Sequence, residues 1–131
     1  MRIKAAVLLL LFTLTLALGG CAVSPEEVVD AYYRYVIQED FEVAYRLLCK
    51  DSKERFTAEE FETIWRHNLS ENELLQFRIS GVGVEDDRAA VAVTLEADDG
   101  YSVFTVDAQV RLVKEGRNWR IILSEAFGKT R

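Results

Sequence analysis

Residues 75–123 read "LQFRISGVGVEDDRAAVAVTLEADDGYSVFTVDAQVRLVKEGRNWRIIL", and the alternation within them decides the fold. Apolar side chains recur at every second position, the period of a half-buried strand. Leu75, Phe77, Ile79 and Gly81 share one side of a first strand, and Ala89, Val91, Val93, Leu95 and Ala97 one side of a second. Phe104, Val106, Ala108, Val110 and Leu112 repeat the pattern in a third, and Trp119, Ile121 and Leu123 in a fourth. The connections EDD, DDG and EGRN are short and turn-rich, which predicts antiparallel hairpins. Shifting any strand by one residue would turn its whole apolar set toward water, so side-chain parity is strongly fixed.

Upstream of this region the period is helical. Ser24 precedes Pro25 and Glu27, the pattern of a helix start with proline at its first position. Val28, Val29, Tyr32, Tyr33 and Val36 form the apolar stripe of a helix that runs to about Gln38. Asp40 is placed to cap a second helix carrying Phe41, Ala44, Tyr45 and Leu48, which CKDSKER interrupts. Thr57 and Glu60 form a capping box for a third, with Phe61, Ile64 and Trp65 inward and an end near His67 or Asn68. Three helices followed by a four-stranded meander predict an α+β fold, the helices covering one face of the sheet.

The amino-terminal segment has a different character. Arg2 and Lys4 precede an uncharged run from Ala5 to about Leu18, shorter than the ~20 residues of a spanning helix. Leu18-Gly19-Gly20-Cys21 resembles the lipobox of bacterial lipoproteins. That resemblance implies a signal peptide over 1–20, diacylglycerol on the Cys21 thiol, and a short tether over 21–23 leading into one domain over 24–131. Such a chain is expected to be anchored on the extracytoplasmic side of a bacterial envelope. In a host with two membranes, the absence of aspartate at position 22 favours the outer one. Cleavage would remove Arg2 and Lys4 from the 16 basic residues and none of the 22 acidic ones, deepening the net charge of −6 by two. An acidic domain of this kind is a poor partner for nucleic acid. Lipidation of Cys21 leaves Cys49 without a disulfide partner, and one histidine with one free cysteine gives no zinc spacing.

The order of elements, with PEEVVDAYYRYVIQEDFEVAYRLL leading and VRLVKEGRNWRI closing, resembles the NTF2-like superfamily. The likeness is greatest to its small DUF4878-type bacterial lipoproteins, which have the cystatin-like cone. It implies a curved sheet wrapped around the helices, with a hollow that some members use for catalysis and others for binding. Fold alone does not choose among these uses.

Acid–base chemistry in a cone needs an ionisable group pointing inward. Parity puts Asp107, Gln109 and Arg111 on the opposite face, together with Arg78, Glu96 and Arg120. Tyr32 falls about where isomerase-like relatives place an oxyanion-stabilising tyrosine, but no inward aspartate accompanies it. His67, at a helix end, is read as satisfying free carbonyls. We therefore expect no catalytic residue, no metal and no cofactor. The expected function is a non-enzymatic interaction or binding module. It would meet a second copy or another envelope protein through the outer sheet face, which carries Ala90, Ala92, Thr94, Val103, Thr105, Val113 and Ile122. One alternative is a pocket for a small apolar ligand lined by Tyr32, Trp65, Phe104, Val106 and Trp119; another, disfavoured by strand parity, is an isomerase- or hydratase-like enzyme.

Overall fold

A computed structural model describes residues 22–129. The chain forms α1 (Pro25–Ile37), α2 (Phe41–Arg46), α3 (Lys50–Arg55), α4 (Ala58–Glu71), β1 (Glu73–Glu85), β2 (Arg88–Asp98), β3 (Val103–Glu115) and β4 (Asn118–Ile122). The strands form one antiparallel sheet in the order β1-β2-β3-β4. This is the expected α+β layering, with the helices on one flank of an open sheet.

Local chemistry sets the helix ends. Ser24 Oγ accepts from the Glu27 amide at 3.3 Å, with Pro25 in the first turn. Thr57 and Glu60 close a reciprocal capping box, at 3.1 Å and 3.0 Å. At the other end of α1, the Glu39 amide donates to Val36 O at 3.0 Å and the Asp40 amide to Tyr35 O at 2.9 Å. This is a Schellman closure, and it holds Glu39 at φ 59. Asp40 precedes α2 without a side-chain capping bond, contrary to expectation; its backbone, at φ −93 and ψ 69, lies outside the extended conformation a capping residue adopts.

The stretch read as an interruption, CKDSKER, is mostly helix α3. Between α2 and α3 the chain extends far enough to dock on β4. The Ile121 amide donates to Leu47 O and the Cys49 amide to Ile121 O, both at 2.8 Å. Cys49 then caps α3 instead of ending α2, its Sγ facing the Ser52 amide at 3.5 Å. Ser52 is fully buried, and its Oγ accepts from Cys49 Sγ at 3.3 Å and from the Leu123 amide at 3.0 Å.

Parity holds without interruption on β2, β3 and β4. Val91, Val93, Leu112 and Ile121 are fully or almost fully buried against Val29, Val36, Phe41, Ala44, Leu48 and Phe61. On β1 the expectation needs correcting, because the pairing with β2 shifts between Leu74 and Gln76 and again between Ile79 and Gly81. Leu74, not Leu75, pairs with Ala97, and Leu75 stays exposed. After the second bulge Val82 and Val84 take the helix side, opposite Val91 and Ala89, while Gly81 and Gly83 pair with Ala92 and Ala90 on the outer face. Each extra residue reverses the alternation beyond it.

Past β4 the chain leaves the sheet. Arg55 donates to Leu123 O at 3.2 Å and to Ser124 O at 3.3 Å, drawing the tail beneath the helices. There Phe127 stacks on Phe61 at 5.7 Å and meets Phe56 edge-on at 5.4 Å. Gly128 follows at φ 82, where a Cβ would come within 3.0 Å of Ile64.

Replacing Ser52 with alanine leaves the buried Leu123 amide without an acceptor. We expect this variant to lose about 1–3 kcal/mol of stability, read as a lower urea midpoint at unchanged m-value.

Candidate functional site

The helix-side core is aromatic. Trp65 Nε1 donates to Tyr32 Oη at 3.1 Å, and the two rings lie edge-on with centroids 6.3 Å apart. Tyr32 also meets Tyr33 at 5.2 Å and Phe61 at 6.3 Å, and Tyr33 lies 5.6 Å from Phe77. Tyr45 meets Phe61 at 5.6 Å and donates its hydroxyl to Phe56 O at 2.7 Å. Phe127, outside every element read from the sequence, fills the space between Phe56, Phe61 and Trp65. No periodicity could have found it, because a single aromatic in a tail has no pattern.

Burial keeps both core phenols neutral. Loss of solvation pushes Tyr33 up to about 12, and it raises Tyr32 further, reinforced by its neighbour Tyr33 and opposed by the Trp65 hydrogen bond. Each phenol therefore keeps its hydroxyl proton and packs as an aromatic ring with one hydrogen-bonding end.

The five residues read as a pocket lining do not come together. Phe104 pairs with Ala97 at one end of the sheet, and Trp119 pairs with Lys114 at the other. The strand between Phe104 and Lys114 spans roughly 33 Å at ~3.3 Å per residue. Tyr32 and Trp65 touch each other, Trp119 is buried, and Val106 is 44% exposed at an uncovered corner. Alternation had put these side chains on one flank but could not show how far apart along it they lie. Cys21 lies outside the described residues.

Charges follow the expected parity, with one addition. Lys114 shares the helix side with Leu112 but sits at the strand end, its Nζ 5.6 Å from the centre of the Trp119 ring. His67 is not at a helix end, since α4 continues to Glu71, and its Nε2 faces Glu71 Oε1 at 3.5 Å on the surface. Among the described residues no cluster of histidine, cysteine and carboxylate side chains is arranged to hold a metal ion. No helix among them is long and apolar enough to cross a membrane.

The outer face is polarised along its length. Toward the β2–β3 turn it carries Glu96, Asp98 and Asp107, with Thr94 donating to Asp107 at 3.0 Å and Gln76 to Glu96. Toward the other end it carries Arg88, Arg111 and Arg120 together with Glu85 and Glu115, so positive charge is only slightly in excess there. Between them Gly81, Gly83, Ala90 and Ala92 leave the backbone bare, and an open depression of about 500 Å³ lies beside Gly83, Ala90, Arg111 and Ile122.

No family model matches the chain, and no curated protein sequence does. Solved structures do. The solution structure of a SEC-C motif-containing protein from Rhodopseudomonas palustris is similar at TM-score 0.67 and 19% identity, over 81% of this chain and 80% of that one. A crystal structure from Campylobacter jejuni, described as that of an NTF2-like transpeptidase, is similar at TM-score 0.60 and 14% identity, over 78% of this chain and all of that one. At these identities the likeness concerns shape alone, and the shape is NTF2-like.

The buried phenols impose a pH dependence. Above pH ~10 the unfolded chain releases phenolic protons that the native chain keeps, so the native state binds more protons and stability falls as pH rises. For Tyr33 the loss runs from roughly pH 10 to about 12 and amounts to on the order of 2 kcal/mol. Urea midpoints taken from pH 9 upward should drop less steeply in Tyr33→Phe than in the parent.

Proposed function

We propose that this protein is a non-enzymatic interaction module, held by lipid on Cys21 at the extracytoplasmic side of a bacterial envelope, that works by pairing its sheet with that of a second copy. The observation that carries this reading is the division of labour across the sheet. The helix side is closed by aromatic packing around two neutral phenols, and the charged strand side chains lie on the outer face or at strand ends. Among the described residues no strand carboxylate points inward to serve as a base, which supports a non-enzymatic role.

The outer side favours self-recognition. Its acidic end would lie beside the arginine-bearing end of a second copy when the two sheets run antiparallel. The Leu18-Gly19-Gly20-Cys21 motif supports the anchor, and so does the dense helix start at Ser24, three residues beyond the cysteine. Two or more acyl chains hold a protein stably at a bilayer, and a tether this short keeps α1 within about 10 Å of its surface.

Two measurements test the reading. Labelled palmitate should enter the full-length protein and be lost in Cys21→Ser, which should move from the envelope to the soluble fraction. Light scattering on residues 22–131 should show a concentration-dependent dimer. A chain that stays monomeric at every concentration and sediments with the envelope independently of Cys21 would overturn the proposal.

A further inference from the structure

The sheet has three edges, and they are not treated alike. β1 carries two bulges, the usual device for spoiling an edge as a template for pairing. β4 is covered by the bridge from Leu48 to Ile121. The third edge is the first part of β3. β4 pairs with β3 only from Arg111 to Glu115, so among the described residues Val103–Val110 has a partner on the β2 side alone. That stretch has no proline, lysine or bulge, and Val103, Thr105, Val106, Asp107 and Gln109 are exposed.

The direction of its unpaired groups can be worked out. The Lys114 amide donates to Asp87 O at 2.8 Å, and Ser102 O accepts from Asp99 at 3.2 Å, so even-numbered residues of β3 turn their backbone toward β2. Ile121 turns its own N–H and C=O toward Leu47 and Cys49, leaving Arg120 and Ile122 to face β3. The N–H and C=O groups of Val103, Thr105, Asp107 and Gln109 therefore point into the open edge. The side chains of these residues lie on the outer face, whereas Phe104, Val106 and Ala108 lie on the helix side.

We propose that a second copy adds to this edge, β3 against β3, antiparallel about a two-fold axis through Val106. This rests on the reading that the domain pairs with its own copy, and it names the surface and register. With the same flank of both sheets facing the same way, only registers that pair odd with odd residues satisfy the edge. Placing the axis at Asp107 would set two aspartates directly opposite each other, an unfavourable pair. Placing it at Val106 pairs Thr105 with Asp107 of the second copy and Val103 with Gln109, each exchanging two backbone hydrogen bonds. On the helix side Phe104 then faces Ala108, large against small, and the two exposed valines at 106 cover each other. The added strand ends near Ser102, because Arg111 already has Ile122 as its neighbour on this edge.

Edge pairing is favoured over face pairing by what each must dehydrate. A face-to-face contact has to bury arginines 78, 88, 111 and 120 with their neighbouring carboxylates, whereas the edge contact satisfies backbone groups that have no partner within the described residues. The area covered is well below the ~1,600 Å² of a standard interface, so association in dilute solution should be weak. Confinement of lipid-anchored copies to one surface raises their effective concentration and favours the pair.

The test is cysteine cross-linking of the full-length protein in its own envelope. Opposed Cβ atoms at a non-hydrogen-bonded pair lie ~4.5–5.5 Å apart, so Val106→Cys should form a disulfide-linked dimer on mild oxidation. Val103→Cys alone should not, but should cross-link when mixed with Gln109→Cys. Adding Thr105→Pro to Val106→Cys should cut the cross-linked fraction about tenfold or more, because proline removes an N–H from the open edge without touching the β2 ladder. Gln109→Pro serves the same purpose should the first variant not fold. A dimer that survives both prolines and is broken by Ala92→Glu would overturn the edge while leaving self-pairing intact. Absence of any dimer in solution or envelope would overturn both. Cross-linking of Val106→Cys to a protein of different mass would assign the edge to another partner and overturn the second copy.

Discussion

Burying one flank of a sheet against helices allows only apolar or fully hydrogen-bonded groups on that flank, because an unpaired charge there would cost several kcal/mol. That constraint governs the molecule. It buries Val91, Val93, Leu112 and Ile121 on the helix side, and it sends Asp107, Arg111 and Arg120 to the far side. The same constraint fixes the character of the interior. Space that could hold a solvated acid or base holds Tyr32, Tyr33, Phe61, Trp65 and Phe127 instead, with the one ring-to-ring hydrogen bond joining Trp65 to Tyr32.

A second set of contacts decides where the sheet stops. Leu47–Cys49 extends to pair with Ile121, Ser52 receives the Leu123 amide, and Arg55 holds the carbonyls of Leu123 and Ser124. Together they pull the chain off β3 after Ile122 and tuck Phe127 into the core. Completing the core in this way shortens β4 and leaves the first half of β3 open. The packing that fills the interior with aromatic rings thus also leaves the edge open, so the two features have one structural origin.

Much of the architecture is legible in local pattern. Ser24-Pro25 and Thr57 with Glu60 mark helix starts because their side chains satisfy amides within three residues. Strand parity is legible wherever alternation is unbroken, as on β2 and β3. It misleads on β1, where the doublet Leu74-Leu75 and the step at Ser80-Gly81 are bulges that only pairing with β2 reveals. The five proposed pocket residues show the same limit. The three on strands, Phe104, Val106 and Trp119, share the helix side, but Phe104 and Trp119 stand at opposite ends of it, since parity carries no information about position along a strand.

The sequence by itself therefore determined the layering, the starts of α1 and α4 and the outer placement of Arg78, Glu96, Asp107, Arg111 and Arg120, because these follow from periods of two and 3.6 and from capping over three residues. Tertiary structure alone decided the break of the second helix at Cys49, the bulges of β1, the insertion of Phe127 and the unpaired edge of β3. Each of those depends on partners tens of residues away, such as Leu47 with Ile121 or Ser52 with Leu123, and no local pattern encodes a contact of that separation.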